Sequence, residues 1–290
     1  MRSPGRRAVS RALWLVLGRR NFVRLARFLT LESRLDAEQE IDSDGEMTVL
    51  RVVLEGARTD RSCVILDVGA NVGDWSLAVL QTARELDVRC LSLHAFEPSA
   101  ATRAILERRI AAGGANASVT LSPLALSNER RLLPLYVTAD EAGTNSLYSM
   151  EDLPPPLRVE TVPVDTVDGY CAAQGIARIE LLKCDVEGHD MAVIEGSRGM
   201  LERGAIGVIQ FEYNFRWIYA RKYLRDAFEF LAPLGYRIGK VTPRGLEFYP
   251  SWHFELETFR QGNYLACTPE WAARFPSIAW WNTAPSRPAP

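Results

Sequence analysis

Between residues 63 and 211 one unit recurs: a short apolar run, a turn of glycine or charged residues, and a stretch with helical spacing. The run Cys63-Val64-Ile65-Leu66 leads into Asp67-Val68-Gly69, and Trp75 to Leu86 then carries apolar residues at helical intervals. Leu91 to Phe96 ends at Glu97-Pro98, and a helix over 99–112 stops at Gly113-Gly114. Val119 to Leu126 predicts a third strand, Ile179 to Cys184 a fourth and Ile206 to Phe211 a fifth. Helices are expected over 189–202 and 216–232 after the last two. Parallel strands need a long crossover, and these helices supply it. The expected fold is α/β: a doubly wound, mostly parallel sheet with helices on both faces. The rhythm breaks after an extended Leu132 to Val137, where residues 138–157 form a polar insertion carrying Pro154-Pro155-Pro156 near its end. Binding loops sit in such segments. From Tyr236 to Thr268 the pieces are shorter, strand-like and rich in aromatics.

Composition removes several alternatives. With 290 residues, 47% of them hydrophobic, the chain is long and apolar enough to bury a sizeable core. Five cysteines (Cys63, Cys90, Cys171, Cys184, Cys267) are scattered and form no C-x-x-C pair. That argues against a disulfide scaffold or a zinc module and points to a reducing, cytoplasmic setting. No apolar run reaches the ~20 residues of a membrane-spanning helix.

Charge is distributed unevenly. Residues 1–34 hold nine arginines against Glu32, a net +8, so a total of −2 leaves −10 for the remainder. The chain therefore divides into a basic helical extension over 1–58, one domain over 59–275 and a flexible proline-bearing tail over 276–290. Two readings of the basic start stand. It forms cationic helices packed on the domain's edge, or a peripheral membrane helix in which Leu13, Leu17, Phe22, Leu25 and Leu29 share part of a face. Secretory and twin-arginine signals fit poorly, because Ala12 to Leu17 is short and Arg24 and Arg27 interrupt the stretch beyond it. The α/β part shows no basic patch interleaved with aromatics, so nucleic acid is not an expected partner.

In open α/β sheets ligands sit beyond the carboxyl ends of the strands. Asp67, Gly69 and Gly73 fall there after strand one, Glu97 after two, and Ser127 and Asn128 after three. Asp185, Glu187 and His189 follow strand four, and Glu212, Tyr213 and Asn214 follow strand five. A dinucleotide fingerprint needs a second glycine where Asn71 stands, which disfavours a nicotinamide dehydrogenase. D-x-G-x-x-x-G fits a loop under a ligand without phosphate, such as the amino-acid end of S-adenosylmethionine. Asp67 would then meet the ligand's ammonium, and Glu97 would grip ribose hydroxyls. The alternative is a tight strand-to-helix turn that holds no ligand.

These residues resemble the FkbM-type S-adenosylmethionine-dependent methyltransferases. The resemblance rests on Ile65-Leu66-Asp67-Val68-Gly69-Ala70-Asn71-Val72-Gly73 and Phe96-Glu97-Pro98, extended by Ala125-Leu126-Ser127-Asn128, Val164 to Asp168 and Leu182 to His189. It implies a Rossmann-like class I methyltransferase fold over roughly 62–268. It also implies methylation of a hydroxyl on a small molecule, sugar or lipid-like acceptor. By that resemblance Asp67, Gly69, Asn71, Gly73, Glu97, Ser127, Asn128 and Asp185 would line the cofactor. By the same resemblance Asp185, Glu187 and His189 would face the acceptor; Ser146 and Tyr213 are further candidates there, and core packing accounts for Tyr213 equally well. A non-catalytic partner-binding module that kept the fold is the competing reading.

Methyl transfer to a hydroxyl needs alignment and help with a proton. His189 with Asp185 is one candidate for that help, since an imidazole accepts a proton near neutral pH. Asp185, Glu212 and Asn214 as oxygen ligands of Mg²⁺ are another. A third reading has Asp185 and Glu187 serving only the start of the following helix.

Overall fold

The structure is a computed structural model that describes residues 4–35, 45–57, 62–113, 117–140 and 143–282. Its strands are β1 (Cys63–Val68), β2 (Leu91–Phe96), β3 (Ser118–Ser122), β4 (Ala125–Leu126), β5 (Arg131–Val137), β6 (Arg158–Asp165), β7 (Ile179–Cys184), β8 (Ile206–Tyr213), β9 (Arg237–Thr242), β10 (Gly245–Tyr249), β11 (Gly262–Cys267) and β12 (Ser277–Ile278). Its helices are α1 (Pro4–Arg34), α2 (Glu46–Gly56), α3 (Asp74–Glu85), α4 (Ala100–Ala112), α5 (Val167–Gln174), α6 (Asp190–Glu195), α7 (Arg198–Glu202), α8 (Leu224–Leu231) and α9 (Pro269–Ala272).

Among the described residues, nine strands form one sheet in the order β12-β10-β9-β11-β8-β7-β1-β2-β3. The stretch β3-β2-β1-β7-β8 is parallel throughout, as the helical crossovers require. Side chains alternate across each strand, so the apolar runs feed both faces. Leu66, Val68, Leu182 and Phe211 pack under α5, α6, α7 and α8, while Ile65, Leu93, Leu181 and Val208 pack under α2, α3, α4 and α9. The expected doubly wound architecture is present, with an antiparallel extension through β11 and β9.

Three expected elements differ. The strand expected over Val119 to Leu126 is split at Pro123, which lacks the N–H a continued ladder needs. Its second half joins a separate three-stranded sheet, β4-β6-β5. The helix expected over 189–202 breaks into α6 and α7 at Gly196, where a Cβ would stand 1.9 Å from the Ser127 carbonyl oxygen. The helix expected over 216–232 is a short turn over Phe215–Ile218, followed by α8. Asn214 Oδ1 caps that turn by accepting from the Arg216 N–H.

The ends of the chain also differ from expectation. The boundary expected at 58–59 and the tail over 283–290 lie outside the described residues. Residues 277–278 pair with β10, and Trp280 is buried, so packed chain continues beyond 276. Helix α1 is exposed over nearly all of residues 9–33 rather than packed on the domain's edge.

Candidate active site

Two cavities open where β1, β2 and β7 end. The first spans about 680 Å³ of space open to solvent and is lined by Gly69, Asn71, Glu97, Leu135, Asn145 and Asp185, among others. Gly69 has φ 86°, and a Cβ there would stand 2.0 Å from the Asp185 carbonyl oxygen. Only glycine lets these two loops cross so closely. Asn71 has φ 48°, a conformation that asparagine tolerates better than most residues. Its N–H donates to Glu97 Oε2 at 3.1 Å, and the Ser99 N–H donates to Glu97 Oε1 at 2.9 Å. These bonds fix the carboxylate at the cavity wall while leaving each oxygen a further lone pair. Burial pushes the Glu97 carboxyl up to about 7, against the lowering effect of those two N–H groups.

The floor beneath this cavity is charged. Asp67 is fully buried, accepts from the Ser76 hydroxyl at 2.6 Å and lies 3.8 Å from Lys183 Nζ. Lys183 Nζ also donates to Asp185 Oδ2 at 3.1 Å. Burial works against the Lys183 ammonium, but Asp185, Asp67 and Glu46 together push its pKa up. The lysine therefore stays charged and fixes Asp185 from below.

The second cavity, about 1170 Å³, is polar and shares Gly143, Asp185 and Glu187 with the first. It adds Glu46, Glu212, Arg216 and Asn263 from three distant parts of the chain. Glu187 has φ 56°, a strained conformation for a glutamate, and strain of this kind collects at functional sites. Its carboxylate is paired with the Arg216 guanidinium. Burial and the neighbouring Asp185 push Glu187 up, and Arg216 pulls it back.

A family model described as the methyltransferase FkbM domain matches residues 67–238, more than half of the chain. The chain belongs to the FkbM methyltransferase family. Among solved structures this chain is similar to methyltransferase FkbM from Methylobacillus flagellatus KT, with 13% identity and a TM-score of 0.44 over 70% of this chain and 43% of that one. It is also similar to the SAM-dependent methyltransferase from Agrobacterium tumefaciens, with 9% identity and a TM-score of 0.41 over 77% of this chain and 61% of that one. The chain thus spans less than two thirds of the length of either protein. No curated protein matches it.

The FkbM chain brings Gly69, Asn71, Glu97 and Asp185 together on the first cavity, with Asp185 and Glu187 on both and Glu212 on the second. It does not bring the other expected residues there. His189 is buried, with Nε2 on the Ser127 hydroxyl and Nδ1 on the Tyr148 hydroxyl, and it lines neither cavity. Burial, aided by Arg131, pushes its imidazole down to about 4. The residue expected as the base thus bridges two hydroxyls away from the lining of both cavities. Asp67 lies under the floor rather than at the wall, and Gly73 caps α3 with φ 93°. Ser127 is occupied by His189, and Asn128 donates to Glu195 at 3.1 Å. Ser146 donates to the Glu187 carbonyl at 2.9 Å and so supports that residue from behind. Tyr213 is a core residue whose hydroxyl donates to Glu257.

Of the residues offered to Mg²⁺, Asp185 and Glu212 line the second cavity and Asn214 does not. Asn214 spends its amide on Glu212 Oε2 and its carbonyl on the Arg216 N–H. Among the described residues no group of three or more His, Cys, Asp or Glu is gathered for a metal. Sequence reasoning missed Arg216, Glu46 and Asn263. No local pattern marks them, because only the fold brings them together.

Proposed function

We propose that the first cavity holds S-adenosylmethionine and that the second holds a hydroxylated small-molecule acceptor, whose oxygen receives the methyl group. The observation that carries this reading is the shared wall: Asp185 and Glu187 face both cavities. The chemistry the cofactor supplies when bound is an electrophilic methyl on a sulfonium. The cavity fits that group. Gly69 keeps the floor clear of side chain, and Glu97 offers two fixed acceptors for ribose hydroxyls. Leu124, Leu126, Leu135 and Leu147 supply apolar wall for a flat ring.

Glu187 is the proton acceptor in this reading. A carboxylate whose basicity is raised by burial and by Asp185 is better matched to a hydroxyl proton than an ordinary one. Asp185, fixed by Lys183, orients the acceptor. The polar groups of the second cavity favour a polyhydroxylated acceptor, a sugar or the hydroxylated head of a lipid, over an apolar one.

Calorimetry with S-adenosylhomocysteine and a labelled-methyl screen of sugars, glycolipids and hydroxylated metabolites test the proposal. Heat of binding and label on a hydroxyl are expected. No heat overturns the cofactor assignment, and label confined to protein or RNA overturns the acceptor assignment.

A further inference from the structure

Of the eighteen large apolar side chains exposed among the described residues, ten belong to α1. Gly18, with φ 71° and ψ 160°, divides this helix into two segments. In the second segment Arg19, Arg20, Arg24, Arg27 and Arg34 fall within an arc of roughly 140° at 3.6 residues per turn. Phe22, Leu25, Phe28 and Leu29 fall within an opposing arc of roughly 120°, while Val23 and Leu31 sit on the arginine side. Phe28 and Leu29 are more than half exposed, at 57% and 55%. No helix among the described residues is long and apolar enough to cross a membrane.

The end of α1 is tied to the cavity region. Lys240 Nζ donates to the Arg34 carbonyl at 3.2 Å, and Arg34 Nη1 donates to the Glu255 carbonyl at 3.3 Å. The next residue, Leu35, lines the second cavity. An arginine-rich apolar helix therefore ends at that cavity's rim.

We infer that α1 lies in the plane of an anionic phospholipid surface, with its apolar arc among the acyl chains and its arginines at the headgroup phosphates. Charge complementarity selects this occupant: residues 1–34 carry nine arginines and one acid, on a chain that is otherwise negative. The apolar arc selects a lipid surface over a nucleic acid, which offers arginine partners but no medium for Phe28 and Leu29. Docking places the mouth of the second cavity at headgroup level, so an acceptor carried in the membrane reaches it directly. That last step rests on the acceptor reading above, whereas the docking does not.

The test is co-sedimentation of the full chain with vesicles of phosphatidylcholine alone and of phosphatidylcholine mixed with phosphatidylglycerol. Partition onto the mixed vesicles is expected to be at least roughly tenfold stronger, and to fall as salt is raised. The double variant Phe28→Asp, Leu29→Asp should lose that binding while keeping its heat with S-adenosylhomocysteine. Wild-type protein that ignores the mixed vesicles overturns the inference. So does a double variant that binds them as well as wild type, or self-association through α1 that displaces vesicle binding. Failure of the vesicle arm with intact cofactor heat leaves the methyltransferase reading standing.

Discussion

His189 Nε2 lies 2.8 Å from Ser127 Oγ, and the opposite ring nitrogen lies 3.0 Å from the Tyr148 hydroxyl. One buried imidazole thus joins the end of β4, the 138–157 insertion and the start of α6. Its removal should be felt in stability rather than in binding. His189→Ala leaves two hydroxyls to find new partners, and a loss of roughly 1–3 kcal/mol is expected by urea denaturation, with S-adenosylhomocysteine affinity nearly unchanged.

The same ring sets an acid limit. Its pKa is about 4 in the fold against 6.5 for the free side chain, so the unfolded chain binds the extra proton first. Stability should fall as pH drops from about 6.5 toward 4, by up to roughly 3 kcal/mol from this residue. His189→Asn should flatten that part of the stability profile. An unchanged slope would show that other groups set the acid limit.

Glu97 should govern cofactor affinity. Glu97→Ala is expected to weaken S-adenosylhomocysteine binding roughly ten- to a hundredfold, the range for charge-assisted hydrogen bonds. Since the carboxyl titrates near 7, affinity should rise as pH passes upward through that value and Glu97 becomes ionised. Glu97→Gln should bind weakly with no such step, which calorimetry across the range would read.

Glu187 and Asp185 should separate by pH profile. Glu187→Gln is expected to lower turnover by roughly two to four orders of magnitude and to remove the rise in rate that accompanies deprotonation of a base. Asp185→Asn should mainly raise the acceptor KM and keep that pH dependence. If both variants lose rate alike with unaltered pH profiles, proximity rather than proton transfer carries the reaction.

Gly69→Ala should fail by geometry. The substitution places a Cβ at positive φ and against the Asp185 carbonyl, so a stability loss well above about 1 kcal/mol is expected. Thermal melting reads it.

The parallel half of the fold was legible because its strands are buried on both faces and end on glycine or charge, a pattern that needs no tertiary information. Strands β1, β2 and β7 stand where their apolar runs put them. The small sheet was legible only in part: β5 reads as extended over Leu132 to Val137, but β6 does not, since Pro163 sits inside it and proline in a run argues against a strand. For the site, the family resemblance pointed to Asn71, and strand ends to Gly69, Glu97 and Asp185. They also suggested His189, because four residues from Asp185 looks like convergence. The turn at Gly188, with φ 97°, aims the ring elsewhere, and spacing alone does not carry that direction. The second cavity was out of reach, since Glu46, Arg216 and Asn263 are joined only by folding.

Strand β11 runs against its neighbours, so Gln261 and Asn263 reach the second cavity from the start of a strand, while Gly69, Glu97 and Asp185 reach the first from strand ends. The two sets of groups are thus carried by different loops. Gln261, Gly262 and Asn263 line the second cavity and are absent from the lining of the first. On the proposed reading, substitutions at Gln261 and Asn263 would reshape the acceptor cavity and leave the lining of the methyl-donor cavity as it stands.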